Sequence, residues 1–94
     1  MYVISYDIEN DRIRNKIAKT LEGYGKRVQY SVFECRLSKD RFESLYKRLA
    51  KLMRDEKEGN IRFYKICRNC ESDIATIGIV KEAVAQNEQD LFII

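Results

Sequence analysis

The first quarter of the chain carries the pattern of a buried strand followed by an amphipathic helix. Residues 2–6 are β-branched and aromatic, which predicts a central strand that ends at Asp7. Apolar residues then recur every three or four positions, as on one face of a helix. They are Ile13, Ile17, Leu21 and Tyr24. Asn10 or Asp11 is expected to cap this helix, and the glycines that follow it are expected to stop it.

The middle of the chain predicts two more strands around a second helix. Residues 26–37 are interpreted as one long, bent strand, because no turn signal interrupts them. Ser38 is expected to cap the next helix. The apolar stripe of that helix comprises Phe42, Leu45, Tyr46, Leu49, Leu52 and Met53. A further strand is predicted over residues 61–67. If residues 26–37 instead contain a hairpin, the order becomes βαββαβ.

The pattern weakens beyond Cys70. A short strand is predicted within residues 73–80, a brief helix within 81–89, and an apolar strand over 91–94. An unpaired terminal strand tends to add to the edge of another sheet. Homodimerisation through this tail is one hypothesis, and pairing within the chain's own sheet is the other. The predicted fold class is α+β, with a mixed or antiparallel sheet and both helices on one face, close to a ferredoxin-like plait.

Composition places the chain among small globular domains and removes several kinds of chemistry. Its 94 residues are 45% hydrophobic and form one predicted domain, 1–94. No apolar run reaches the roughly 18 residues of a membrane span. No signal peptide is recognised, so a cytoplasmic location with reduced thiols is expected. Histidine is absent, which excludes Ser-His-Asp and Cys-His catalysis and every His-containing metal site.

Charge is distributed unevenly along the sequence. Residues 1–54 contain 13 basic and 7 acidic side chains, a net charge of +6, whereas residues 55–94 have a net charge of −3. A basic half suggests a polyanionic partner such as nucleic acid. A solvated surface of mixed charge is the alternative, and charge alone favours it.

Asp7 is the main candidate for metal chemistry, because it stands where the first strand ends. Mg²⁺ is usually held by one or two carboxylates together with water and phosphate oxygens. A two-fold axis beside Asp7 would supply two carboxylates from one gene. The alternative is that Asp7 only caps the first helix. Glu9 and Asp11 are further acids at this point and are expected to face solvent.

Basic and aromatic residues follow Asp7 along the chain. Those suited to phosphate contact are Arg14, Lys16, Lys19, Lys26 and Arg27. The alternative is a solvated basic surface. Tyr30 or Phe33 could stack on a base, although core packing is the favoured interpretation of both.

Cys67 and Cys70 form a CxxC motif. Cys35 is the third cysteine, and a zinc site needs four ligands, so one chain does not complete such a site. A redox motif should follow a strand and open a helix, and the residues after Cys70 argue against that. Buried or half-buried structural thiols are therefore expected.

Five segments of the chain form a distinctive set. They are YDI at 6–8, RNK at 14–16, GKRVQYSVFEC at 25–35, RFYKIC at 62–67 and IG at 77–78. Together they resemble the CRISPR-associated protein 2 family, the small protein of the spacer-acquisition module. The resemblance covers nearly the whole chain, and its most specific part is the run that begins at Arg27.

This resemblance implies a ferredoxin-like homodimer whose C-terminal strand, about 90–94, crosses to the partner's sheet. Asp7 matches the family's acidic residue, which faces its copy across the dimer axis as a catalytic ligand of Mg²⁺, with Mn²⁺ as an alternative. Lys16 stands where some members have arginine, so it keeps the charge but lacks bidentate geometry. The positions implied at the nucleic-acid cleft are Arg14, Lys16, Arg27, Ser31 and Phe33.

Two functions of different class follow from the resemblance. One is a metal-dependent endonuclease that hydrolyses single-stranded RNA or double-stranded DNA. The other, which we favour, is a scaffold that binds spacer DNA and bridges two dimers of the CRISPR-associated integrase. A related toxin-like endoribonuclease is a third interpretation.

Overall fold

A computed structural model describes residues 1–78, which contain one four-stranded sheet and three helices. The strands are arranged β2-β3-β1-β4, and every neighbouring pair is antiparallel. With α1 after β1 and α2 after β3, this is a ferredoxin-like arrangement, as predicted. The elements are β1 (Tyr2–Asp7), α1 (Asp11–Glu22), β2 (Lys26–Gln29), β3 (Val32–Cys35), α2 (Lys39–Met53), β4 (Asn60–Lys65) and α3 (Arg68–Glu71).

The prediction of one long strand over residues 26–37 is wrong, because the segment is a hairpin. Gln29 pairs with Val32, so Tyr30 and Ser31 form a two-residue turn. Neither turn residue has a positive φ, whereas the usual two-residue hairpin turns require one and therefore contain Gly or Asn. An irregularity in β2 between Arg27 and Gln29 accompanies this turn, and a bulge supplies the extra twist that such a turn lacks. The hairpin restores the βαββαβ order.

Both main helices begin where their capping residues predict. The side chain of Asn10 accepts a hydrogen bond from the backbone N–H of Ile13 at 3.1 Å, and Ser38 accepts one from Arg41 at 3.2 Å. An acidic residue in the first turn of each helix, Asp11 or Asp40, adds a favourable charge at that end.

The hydrophobic core lies between the two helices and one face of the sheet. Alternate residues of β1 and β3 enter it, because successive strand side chains point to opposite faces. The core residues are Ile4, Tyr6, Ile8, Ile13, Ile17, Ala18, Leu21, Phe33, Cys35, Leu45 and Leu49. Burial and the neighbouring charge of Glu34 raise the pKa of the Cys35 thiol to about 11.

The segment after β4 differs from its prediction. Residues 68–71 form the short helix α3, and no strand occurs between residue 73 and the end of the described region at 78. Cys67 and Cys70 are exposed, so the expectation of buried structural thiols is wrong for both. The predicted helix within 81–89 and the terminal strand at 90–94, with its exchange between protomers, lie outside the described residues. Within residues 1–78, none of the helices has the length and apolar character of a membrane span.

Candidate nucleic-acid interface

Asp7 ends the central strand and leaves its carboxylate in solvent. Its backbone pairs with Asn60 on β4. On the other side, the backbone N–H of Tyr6 donates to the carbonyl of Ser31 at 3.1 Å. Within residues 1–78 the Asp7 carboxylate has no hydrogen bond or ion pair. Because Asn10 caps α1, the alternative that Asp7 is only a helix cap is wrong.

Arg14 organises the loop that joins Asp7 to α1. Its guanidinium donates to the carbonyl of Ile8 at 3.0 Å and to that of Glu9 at 3.2 Å, and it pairs with the carboxylate of Asp11. These contacts occupy donors that a phosphate would otherwise use. Arg14 therefore fixes the path of the chain beside Asp7, and Asp11 is committed to Arg14.

Gly59 is a residue of this site that the sequence did not single out. Its φ is +93°, and a Cβ at this position would lie 2.7 Å from the carbonyl oxygen of Asp7. A side chain here would push the loop before β4 away from the end of β1. The Gly59-Asn60 dipeptide was the available signal, since it marks a tight turn.

The structure brings four of the six predicted site residues together at one end of the sheet. Asp7, Arg14, Arg27 and Ser31 line a pocket of about 480 Å³. Lys16 lies on the exposed side of α1 and is not among the lining residues. The remaining lining residues are Tyr6, Ile8, Asn15, Ala18 and Tyr30.

Phe33 is buried, which confirms the core packing favoured for it and corrects the position at the nucleic-acid cleft that the resemblance implied. Its side chain is 0% exposed and packs against Tyr6. The guanidinium of Arg27 lies over its ring, 5.2 Å from the centroid, a distance at which the ring attracts a cation. The buried ring of Phe33 therefore packs against the guanidinium of Arg27. Tyr30, for which core packing was also favoured, is 92% exposed at the hairpin turn.

The two arginines that line this pocket differ in how strongly their charges are paired. Within residues 1–78, Arg27 forms an ion pair with Glu22 at 4.0 Å, and the side chain of Arg27 is 41% exposed. An ion pair this long and this exposed is weak. Arg27 is thus free to exchange Glu22 for a phosphate group, whereas Arg14 is tied to its loop.

Among the residues that line the pocket, Asp7 is the single carboxylate. Residues 1–78 contain no group of three or more acidic or cysteine side chains that could bind an ion. Asp7 offers the hard oxygen donors that Mg²⁺ prefers, but one such group per chain does not complete a site. A second copy of Asp7 would have to supply the rest.

Comparison with known protein families identifies the chain. The sequence model of the family described as CRISPR associated protein Cas2 matches residues 1–74. The chain belongs to the Cas2 family. The resemblance drawn from the YDI and RVQYSVFEC segments is therefore confirmed.

Individual Cas2 proteins agree with this assignment over most of the chain. The CRISPR-associated endoribonuclease Cas2 3 of Synechocystis sp. is 59% identical over 66 residues, which cover 70% of this chain and 71% of the relative. The CRISPR-associated endoribonuclease Cas2 1 of Chloroflexus aurantiacus is 44% identical over 93 residues, covering 99% and 98%. A chain from a solved partial Cas6-RT-Cas1–Cas2 complex superposes with a TM-score of 0.73 at 34% identity, covering 81% of this chain and 82% of that one.

Substitution of Asn10, which caps α1, should destabilise the protein more than substitution of Asp7. Asn10→Ala should lower the free energy of unfolding by about 1 kcal/mol, because the N–H of Ile13 loses its partner. Asp7→Ala should change it by less than about 0.5 kcal/mol, as expected for an exposed residue without contacts. Urea denaturation followed by circular dichroism measures both values. Equal destabilisation by the two substitutions would show that Asp7 has a structural role.

Proposed function

We propose that this Cas2 protein acts in CRISPR spacer acquisition as a homodimer that binds spacer DNA and bridges two dimers of the Cas1-type integrase. The observation that carries this proposal is the pocket at the end of β1, where a weakly paired Arg27 and an exposed Tyr30 flank Asp7. The similarity to a chain from a Cas1-containing complex supports the choice of partner.

Arg27 is the principal phosphate contact in this proposal. A guanidinium can donate two parallel hydrogen bonds to a phosphate. Arg27 lines the pocket, and its guanidinium lies over the ring of Phe33. The hydroxyl of Ser31 adds a neutral donor beside it. Lys16 extends the basic surface along α1 as a point charge without bidentate geometry. Arg14 contributes by holding the loop.

The face of the sheet away from the helices supports the homodimer. Among residues 1–78 it carries the half-buried Val3, Val28 and Val32, which line a cavity of about 550 Å³ together with part of the segment after α3, residues 74–76. A partly exposed apolar surface of this kind favours contact with a second copy. Exchange of the C-terminal strand, about 90–94, between the two copies remains part of the proposal by family resemblance.

A metal-dependent endonuclease is the second candidate function, and the unpartnered Asp7 carboxylate favours it. Two copies of Asp7 across a dimer axis would hold Mg²⁺, or Mn²⁺, which supplies an activated water and charge neutralisation. Arg27 would bind the phosphate of the bond to be cleaved. The names of the Synechocystis and Chloroflexus relatives designate RNA as their substrate. For this chain we keep RNA and double-stranded DNA as alternatives.

Neutralising Arg27 should weaken the binding of duplex DNA to a similar extent whatever the DNA sequence. Arg27→Gln should reduce affinity for a duplex DNA roughly tenfold, the effect of losing a charge-assisted contact in each binding site. The slope of log affinity against log salt concentration should also become shallower, by about one for each phosphate contact that is lost. Fluorescence anisotropy at several salt concentrations, with two unrelated duplexes, measures both effects.

Arg68→Gln is the matched control, because Arg68 is an exposed arginine of α3, which follows β4 at the end of the sheet opposite Asp7. It should leave affinity unchanged within about twofold, as a surface substitution outside the contact does. Equal losses in both variants would reduce the effect to net charge and would contradict a specific role for the pocket.

Cleavage should depend on Asp7 alone among the nearby acids. With Mg²⁺, Asp7→Asn should cut labelled RNA or duplex DNA at least about 100-fold more slowly than the unaltered protein, because the proposed metal loses its ligands. Glu9→Gln should retain activity, since Glu9 is exposed and not among the pocket residues. EDTA should abolish cleavage by both active proteins.

Equal cleavage by Asp7→Asn and the unaltered protein would place the activity elsewhere. If neither protein cleaves while both bind DNA, the scaffold function stands without the nuclease.

A further inference from the structure

The CxxC motif lies in an arrangement that the sequence argued against. Cys67 follows β4 and caps α3, and Cys70 lies within that helix. The motif therefore does follow a strand and open a helix. Both thiols are exposed, whereas the third cysteine, Cys35, is buried in the core. Solvent reagents thus have access to two of the three thiols.

The Cys67 thiol contacts the backbone of Cys70. The backbone N–H of Cys70 donates to the Sγ of Cys67 at 3.3 Å. The chain turns tightly between them, since the N–H of Glu71 donates to the carbonyl of Cys67 at 2.9 Å. The first and fourth residues of such a turn have Cα atoms less than about 7 Å apart, which overlaps the range that a disulfide spans. Closing a bond between them would therefore require rotation of side chains and little movement of the backbone.

The pair is also chemically asymmetric. A hydrogen bond from the Cys70 thiol, together with the N–H of Cys70, lowers the pKa of Cys67. The same contact raises the pKa of Cys70. The thiolate is the nucleophile in disulfide exchange, so Cys67 is the attacking residue and Cys70 the resolving one.

Contacts on both sides of the motif hold its backbone in place. The N–H of Ile66 donates to the carbonyl of Met1 at 2.8 Å. Glu71 pairs with Arg36 and, at 3.9 Å, with the amino group of Met1. Residues on both sides of the motif, Ile66 and Glu71, thus contact Met1. These contacts hold the backbone of the motif in place and keep the two thiols close in the reduced protein.

We propose that Cys67 and Cys70 form a reversible intramolecular disulfide by exchange with a small-molecule disulfide. The Cys67 thiolate attacks one sulfur of that disulfide, forming a mixed disulfide and releasing one thiolate. Cys70, losing its proton to solvent, then attacks the Sγ of Cys67 and releases the second thiolate. The two cysteines are oxidised and one small-molecule disulfide is reduced to two thiols. This site is separate from the pocket at Asp7 and does not depend on the proposed function.

Thiol counting across a redox series tests the proposal. The full chain is equilibrated with mixtures of reduced and oxidised glutathione in the presence of EDTA, quenched with acid, and alkylated with iodoacetamide under denaturing conditions. Intact mass and peptide mapping then identify the free thiols. We expect the oxidised protein to lose two of its three alkylatable thiols in one step, with a Cys67–Cys70 link within one chain.

Single substitutions assign the roles of the two thiols. Cys70→Ser should accumulate a mixed disulfide with glutathione on Cys67, because the resolving thiol is gone. Cys67→Ser should accumulate at least severalfold less mixed disulfide on Cys70. Cys35→Ala is the matched control and should oxidise like the unaltered protein. Peptide mapping of the unaltered chain gives the same assignment if that core substitution impairs folding.

Three results would overturn the proposal. One is retention of all three alkylatable thiols in the most oxidising mixture. The second is a disulfide that joins two chains, seen as a dimer on a non-reducing gel. The third is a bond that includes Cys35.

Discussion

The pairing of β1 on both of its edges is the constraint on which the rest of the structure depends. β3 and β4 bind it from opposite sides, and its inward residues Ile4 and Tyr6 are buried beneath the helices. A central strand has no freedom to shift its register without exposing those residues. Asp7, at the end of this strand, is therefore held in position although its own side chain makes no contact within the described part of the chain. A fixed carboxylate facing solvent is the basis of the candidate site.

Two arginines of the same pocket have different tasks because their surroundings differ. Arg14 is bound to two carbonyls and one carboxylate, so it stabilises a loop. Arg27 rests on the ring of Phe33 and has a distant, exposed acidic neighbour, so its charge remains available to a polyanion. Sequence assigns both to phosphate contact. Only the packing around each guanidinium distinguishes a residue that shapes the site from one that binds at it.

The features that local chemistry determines were predictable, and those that depend on the register of the hairpin were not. Asn10 and Ser38 cap their helices as expected, because a side chain that satisfies a free N–H is a local interaction. The turn at Tyr30 and Ser31 has no glycine or asparagine, so the β2–β3 hairpin left no signal. That turn places Tyr30 in solvent and Phe33 in the core, and the alternation of residues 26–37 cannot show which of them is exposed.

The family resemblance supplied what local patterns did not. The spacing of residues did not decide whether Asp7 caps a helix or binds a metal. It also did not decide whether the basic residues contact a polyanionic partner or only solvent. The YDI and RVQYSVFEC segments identified the family, and the structure then showed which of the implied residues meet. It gathers Asp7, Arg14, Arg27 and Ser31, and it removes Phe33 from direct contact.

The central claim is that nucleic acid binds at the end of β1, and amide chemical-shift mapping tests it most directly. Duplex DNA is added to the isotope-labelled protein, and the shift of each backbone amide is followed. The account predicts that the largest changes fall on residues 6–8, 14–16 and 27–31, with little change around Arg68 in α3, at the opposite end of the sheet. Changes centred on other surfaces, with residues 6–8 and 27–31 unaffected, would contradict it.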